Sequence, residues 1–366
     1  MKFAKHLKTK KQQGVALFLM VDAIMVVITT VLIGQVSIRQ LKLDRQKDSV
    51  AILNEAERLL FGYALRQAAL GTLPCPAQAP DGEASVDASG CVSNVGFLPY
   101  RTLESDALTD ASDTLLWYAV DERLTINNSI RKNSSLDPVL LVDGEDAVFL
   151  VIAPGANLSG RARLSADVDA FLEGVNSDGN ADDFAQGVGE EQNDIVKGMS
   201  PLRFWPVVET RVLSAFSDPL IQYKNACGEF PWAANFGSTT SNSVLLQQFG
   251  GIPIDSALPF DWNTLGQCSQ GISLPATLSA HWEAQLYFRF CLDVEADCLA
   301  VDGPVASSAP AILLAPGVEI GSQNRSGNDV TDFFESDNAI ENTQFVKRNV
   351  NDIDGSFNDV LYEISP

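Results

Sequence analysis

The alternation of apolar and polar positions divides the chain into a long helical stem followed by strand-rich stretches. From Ala16 to Val36 the residues run ALFLMVDAIMVVITTVLIGQV, with Asp22 the one charged side chain. Twenty-one helical residues extend about 31 Å, the hydrocarbon thickness of a bilayer, so residues 15–37 are expected to form a transmembrane helix. A carboxylate at Asp22 is costly in lipid, which suits a helix packing against other helices. The lysines before the run are expected to hold the N-terminus in the cytoplasm while the rest is exported. Arg39–Asp48 is strongly charged and is expected to be solvated. Beyond it, Ile52, Leu53, Ala56, Leu59, Leu60, Tyr63, Ala64 and Ala68 recur at helical spacing, so the helix should continue, with a stop at Gly71 and Pro74. Leu115–Val120, Val148–Ile152, Leu286–Phe290 and Ala311–Leu314 read as buried strands. The aromatic run Leu202–Val208 should open a second helix, with Pro206 near its first turn, bridging the two halves.

The strand-rich part repeats itself. Residues 153–176 and 315–338 align without a gap at an offset of 162, with Ala153, Pro154, Gly155, Arg163, Asp167, Val168, Phe171, Glu173 and Asn176 identical in both copies. Each copy follows a strand-like run. Each leads into an Asn-Asp pair, Asn193-Asp194 and Asn358-Asp359. The expected divisions are therefore 1–14, 15–37, 38–199 and 200–366, the last two being related units.

Composition narrows the function. The 366 residues carry a net charge of −22, and the five lysines of residues 1–13 stand apart from it. A body this acidic repels phosphate backbones, so nucleic acid is not an expected partner. The histidines are His6 and His281 alone, too few for the usual nucleophilic sites, so no catalysis is expected. The six cysteines, Cys75, Cys91, Cys227, Cys268, Cys291 and Cys298, lack zinc-site spacing and suit disulfides in an exported chain. Short loops favour Cys75–Cys91 and Cys291–Cys298, leaving Cys227–Cys268, although six cysteines permit fifteen pairings.

The junction at Lys8–Gly14 (KTKKQQG), followed at once by Val15-Ala16-Leu17-Phe18-Leu19, resembles a type IV prepilin leader. The resemblance implies cleavage between Gly14 and Val15 by a prepilin peptidase, and N-methylation of Val15. Two positions depart from the usual pilin pattern: Val15 stands in place of Phe or Met, and Leu19 in place of Glu. Asp22 lies near the same helical face. Lack of that Glu is found in some minor pseudopilins at fibre tips, which favours a minor or tip role. A second stretch is similar to the head of a group of bacterial pilin-like proteins: Leu73-Pro74-Cys75-Pro76-Ala77, then Cys91, then Gly96–Leu103 (GFLPYRTL), with Tyr100 in place of Trp.

Together these imply an α+β protein with a long N-terminal transmembrane helix followed by two related pilin-like heads with small antiparallel sheets. It would be a single-pass inner-membrane protein with its heads in the periplasm or on a fibre. The implied function is that of a minor pilin or pseudopilin in a type IV pilus or type II secretion-type fibre, with other pilins or pseudopilins, the prepilin peptidase and the inner membrane as partners. The competing reading is a signal-anchored periplasmic receptor or adhesin that does not polymerise.

No organic cofactor is implied. One acidic turn, Asn176, Asp178, Asn180 and Asp182, offers oxygen ligands suited to calcium, and Asn351–Gly355 does so more weakly. Both lack full EF-hand spacing, and Asp, Asn and Gly form solvated turns for their own reasons, which is the preferred account. Arg163 and Arg325 are expected to pair with Asp167 or Glu173, and with Asp329 or Glu335. Gly155 and Gly317 are expected in type II turns.

Overall fold

The computed structural model describes residues 9–125, 140–158, 163, 165–180, 182–187, 192–236, 248–252, 282, 285–292, 297–321, 323, 325, 329–340, 342–349 and 352–365. The stem is one continuous helix, α1 (Thr9–Ala64), which runs without a break through Gly14 and Val15. Its last turns bury Leu53, Ala56, Leu60 and Ala64, the apolar stripe of the sequence. Its earlier part exposes Leu19, Met20, Val21, Ile24, Met25, Val26, Val27 and Ile28.

Among the described residues no helix is long and apolar enough to cross a membrane. This overturns the expected transmembrane helix over 15–37 and the single-pass inner-membrane placement that rested on it. The apolar run does not stand as an element of its own. It lies in the first half of a 56-residue helix that begins in a lysine-rich turn, carries Asp22 within the run and continues through Arg39–Asp48. Charge of that kind is expensive in hydrocarbon.

The remainder is α+β with small, mostly antiparallel sheets. Its first head holds β1 (Val86–Asp87), β2 (Gly90–Cys91), β3 (Val95–Phe97), β4 (Trp117–Val120), β5 (Leu140–Val142), β6 (Glu145–Ala147), β7 (Phe149–Ala153), the single turn α2 (Val168–Phe171), β8 (Asp183–Phe184) and β9 (Ile195–Met199). Helix α3 (Pro201–Cys227) then leads to the second head: β10 (Phe249–Gly251), β11 (Tyr287–Phe290), β12 (Leu299–Asp302), β13 (Ser307–Ala309), β14 (Ala311–Ala315), β15 (Gln344–Val346) and β16 (Val360–Ile364). α3 starts at Pro201, where a missing N–H costs nothing, and stops at Gly228, whose φ of 81° is the left-handed C-cap that glycine favours.

The two heads share a plan. Each has an antiparallel four-stranded sheet, ordered β3-β4-β7-β9 in one and β10-β11-β14-β16 in the other. Each has a three-stranded sheet, β6-β5-β8 or β13-β12-β15, in which the last pair is parallel. α1 lies on β7 and β9, and α3 lies in the same way on β14 and β16. β7 and β14 are buried along their whole length because both of their faces are covered.

The helix-covered faces merge into one core. Leu60 of α1, Phe204, Trp205 and Val208 of α3, Phe149 of the first sheet and Phe288 and Leu313 of the second belong to a single buried cluster. Phe204 sits 5.6 Å from Phe61 and 6.3 Å from Phe149, centroid to centroid. Trp205 meets Trp282 at 6.0 Å, and the Trp282 indole N–H donates to the Leu70 carbonyl at 3.3 Å. The opposite face of each large sheet packs separately, around Trp117 and Leu150 in one head and around Tyr287 and Leu314 in the other.

Disulfides join Cys75 to Cys91 and Cys291 to Cys298. Cys227 is disulfide-bonded as well; Cys268 lies outside the described residues, as do His6 and His281.

Candidate functional site

Two places stand out: the exposed stem, and a loop clamp built twice. In the stem, the eight apolar side chains between Leu19 and Ile28 are each 50–66% exposed. Asp22, the expected helix-packing residue, is exposed among them. Gly14 and Val15, the expected cleavage pair, lie on the same helix. A single helix in water cannot cover such a surface, since covering each large apolar side chain is worth about 1.5–3 kcal/mol.

The clamp gathers the repeat's identical residues around the loop after β7 or β14. Gly155 turns this loop at φ 69° and Gly317 at φ 65°. Lack of a side chain matters there for a second reason. A Cβ on Gly155 would lie 2.9 Å from the Asn193 side chain, and one on Gly317 would lie 2.5 Å from that of Asn358. Each asparagine uses that space to donate from Nδ2 to the loop, to the Ala156 carbonyl at 2.8 Å or the Val318 carbonyl at 2.7 Å.

The adjoining aspartates are buried. Asp194 Oδ2 accepts from the Glu173 N–H and from Asn176 Nδ2, both at 2.9 Å. Asp359 Oδ2 accepts from the Glu335 N–H at 2.9 Å and from Asn338 Nδ2 at 3.1 Å. The glutamate carboxylates return the contact, accepting from the Asn193 N–H at 3.3 Å and the Asn358 N–H at 3.2 Å. Burial pushes the Asp194 carboxyl up to about 8, against hydrogen bonds from Glu173 and Asn176 that pull it down. Burial, then the nearby Glu335 charge, pushes Asp359 well above the carboxylate range.

The arginines do not form the expected ion pairs. Arg163 lies over the Phe171 ring and donates to Thr114 Oγ1 at 2.8 Å and the Gly155 carbonyl at 3.0 Å. Arg325 lies over Phe333 and donates to the Pro316 and Val318 carbonyls at 3.0 and 2.9 Å. Carbonyls win because the loop curls its backbone oxygens inward, where a planar guanidinium satisfies several at once.

The acidic turn is not assembled as a ligand ring. Asn176 is fully buried, with Oδ1 accepting from the Ala185 N–H at 2.8 Å and Nδ2 committed to Asp194 and Ala185. Asp178 accepts from the Asn180 backbone and side chain, and Asp182 from the Asp183 N–H. Among the described residues no group of three or more His, Cys, Asp or Glu is placed to hold a metal. Asn338 makes the same bonds to Val346 as Asn176 makes to Ala185, so the shared role of these asparagines is structural. Sequence reasoning assigned Asn193, Asp194, Asn358 and Asp359 no role. Their one signal was the recurrence of Asn-Asp at the end of each copy.

No family model, curated protein or solved structure matches the chain.

Proposed function

We propose that this chain is a non-catalytic fibre subunit of the pilin kind, a minor pilin or pseudopilin that joins or caps a type IV pilus or type II secretion-type fibre. The observation that carries this reading is the exposed apolar stretch Leu19–Ile28 on a helix that outruns the heads it supports. In a fibre, stems of neighbouring subunits supply the cover that one helix lacks. The Gly14–Val15 junction agrees, since cleavage there would leave the apolar run at the mature N-terminus. Two packed heads, tied by disulfides and by the clamp, suit display rather than turnover.

The test is cysteine cross-linking. Met25→Cys, placed in the exposed stretch and co-expressed with pilins, is expected to yield a stem-to-stem cross-linked species, whereas Val305→Cys on the second head does not. Cross-linking at neither position, together with an intact Met1 by N-terminal sequencing, would remove the basis of the proposal.

A further inference from the structure

The fibre role leaves four acids without a use: Glu173 with Asp194, and Glu335 with Asp359. Asp194 and Asp359 are at most 1% exposed. In each pair the glutamate N–H donates to the aspartate, and the glutamate carboxylate accepts from the N–H of the residue before that aspartate, so the two acids close on one another. Two carboxylates are acceptors only, so a hydrogen bond between them requires a proton on one of them. The remaining atoms say which one. Oδ2 of each aspartate already takes two N–H donors, while Oδ1 is buried and no N–H or O–H reaches it. A hydroxyl at Oδ1 donating to the glutamate resolves the orphaned atom and the like charges together.

We infer that each head is latched by one proton shared between its aspartate and its glutamate, and that loss of this proton in alkali loosens the loop clamp. Loss of the proton puts a negative charge on a buried aspartate beside that of its glutamate, while the Asn and backbone donors to Oδ2 stay as they were. The same arrangement in both heads argues against an accident of one loop.

The surrounding groups differ between the heads. In the first, the pair faces the amides of Asn176 and Asn193, with Gln186 donating to the Asp194 carbonyl. Arg163 is spent on Thr114 and on loop carbonyls. In the second, Gln323 donates to Glu335, and the Arg325 charge acts on Glu335, Asp359, Glu319 and Glu209 of α3. There burial, followed by the Glu335 charge, still pushes Asp359 up.

The sign follows from the raised folded values. The latch contributes fully below the ordinary carboxylate range near ~4 and is lost as pH climbs towards the folded value, about 8 for Asp194.

The experiment measures unfolding of the full chain between pH 5 and 9, with infrared spectra at pH 7. For the wild type, the folding equilibrium constant should fall as pH rises, by about tenfold per pH unit for the Asp194 latch up to about 8, with the Asp359 latch adding to the fall in the same direction. A protonated-carboxyl carbonyl band should be present at pH 7. Asp194→Asn and Asp359→Asn, whose amides keep the bonds to Oδ1 and Oδ2, should each flatten part of the pH slope, and the double variant should lose the infrared band. Glu173→Gln covers the case in which an Asn variant fails to fold: with the like charge gone, its part of the slope should move to lower pH. A wild-type stability that is flat from pH 5 to 8, or absence of the band at pH 7, overturns the inference. So does abolition of the pH slope by added calcium with recovery on chelation, since a cation would then occupy the pair.

Discussion

Glu57 of the stem forms an ion pair with Lys197 of β9 at 2.8 Å, although the two lie far apart in the chain. The same carboxylate accepts from Arg203 at the start of α3, at 3.2 Å. One largely buried acid thus joins the stem, the last strand of the first head and the first turn of the helix leading to the second. Arg203 is 63% exposed, so water screens its share, and Lys197 contributes most of the effect. Glu57→Ala is expected to destabilise the chain by about 1–3 kcal/mol, because Lys197 loses its buried partner. Urea unfolding of the variant measures it; a loss below ~0.5 kcal/mol would show the contact to be incidental.

The two heads share the cluster threaded by Phe204 and Trp205. They are therefore expected to unfold in one cooperative transition despite their duplicated plan. Trp205→Ala, which empties the space against Trp282, should cost about 3–5 kcal/mol. Calorimetry decides the point: two resolved wild-type transitions would mean that the heads fold apart.

Ser336 has φ 55° at the position where the first head has Gly174 with φ 58°. A side chain in the left-handed region is strained, and glycine relieves it. Ser336→Gly is expected to raise stability by up to about 1 kcal/mol, and Gly174→Ala to lower it by a similar amount. Equal effects of one sign from both changes would contradict the shared backbone requirement.

Gly317→Ala is expected to cost more than Gly155→Ala. Both force a Cβ onto a positive φ, but on Gly317 it meets Asn358 Cγ at 2.5 Å and the Asn358 carbonyl oxygen at 2.7 Å, against 2.9 Å to Asn193. Losses of about 1–3 kcal/mol should separate in that order by thermal unfolding. The reverse order would mean that the first loop is the stiffer one.

Much of the architecture is legible along the chain because it depends on local periodicity. The stripe from Ile52 to Ala64 determines a helix and its buried face, and the runs around Phe149 and Ile312 determine buried strands. The 162-residue offset pairs Gly155 with Gly317 and Arg163 with Arg325, and the short cysteine loops point to the bonds at Cys75–Cys91 and Cys291–Cys298. Only the tertiary structure decided what those residues touch. Arg163 and Arg325 turn to carbonyls rather than to the acids nearest in sequence, because the loop aims its oxygens inward. Asn176, which reads as a turn ligand, is drawn into the interior by Asp194, eighteen residues on. The apolar run after Gly14 is legible by composition, yet α1 extends it into charged flanks, and no described helix is apolar over enough length to cross a membrane. Local pattern determines which face of an element is apolar; the partner that covers it, or the proton two buried acids share, follows from distances that exist only once the loops have closed.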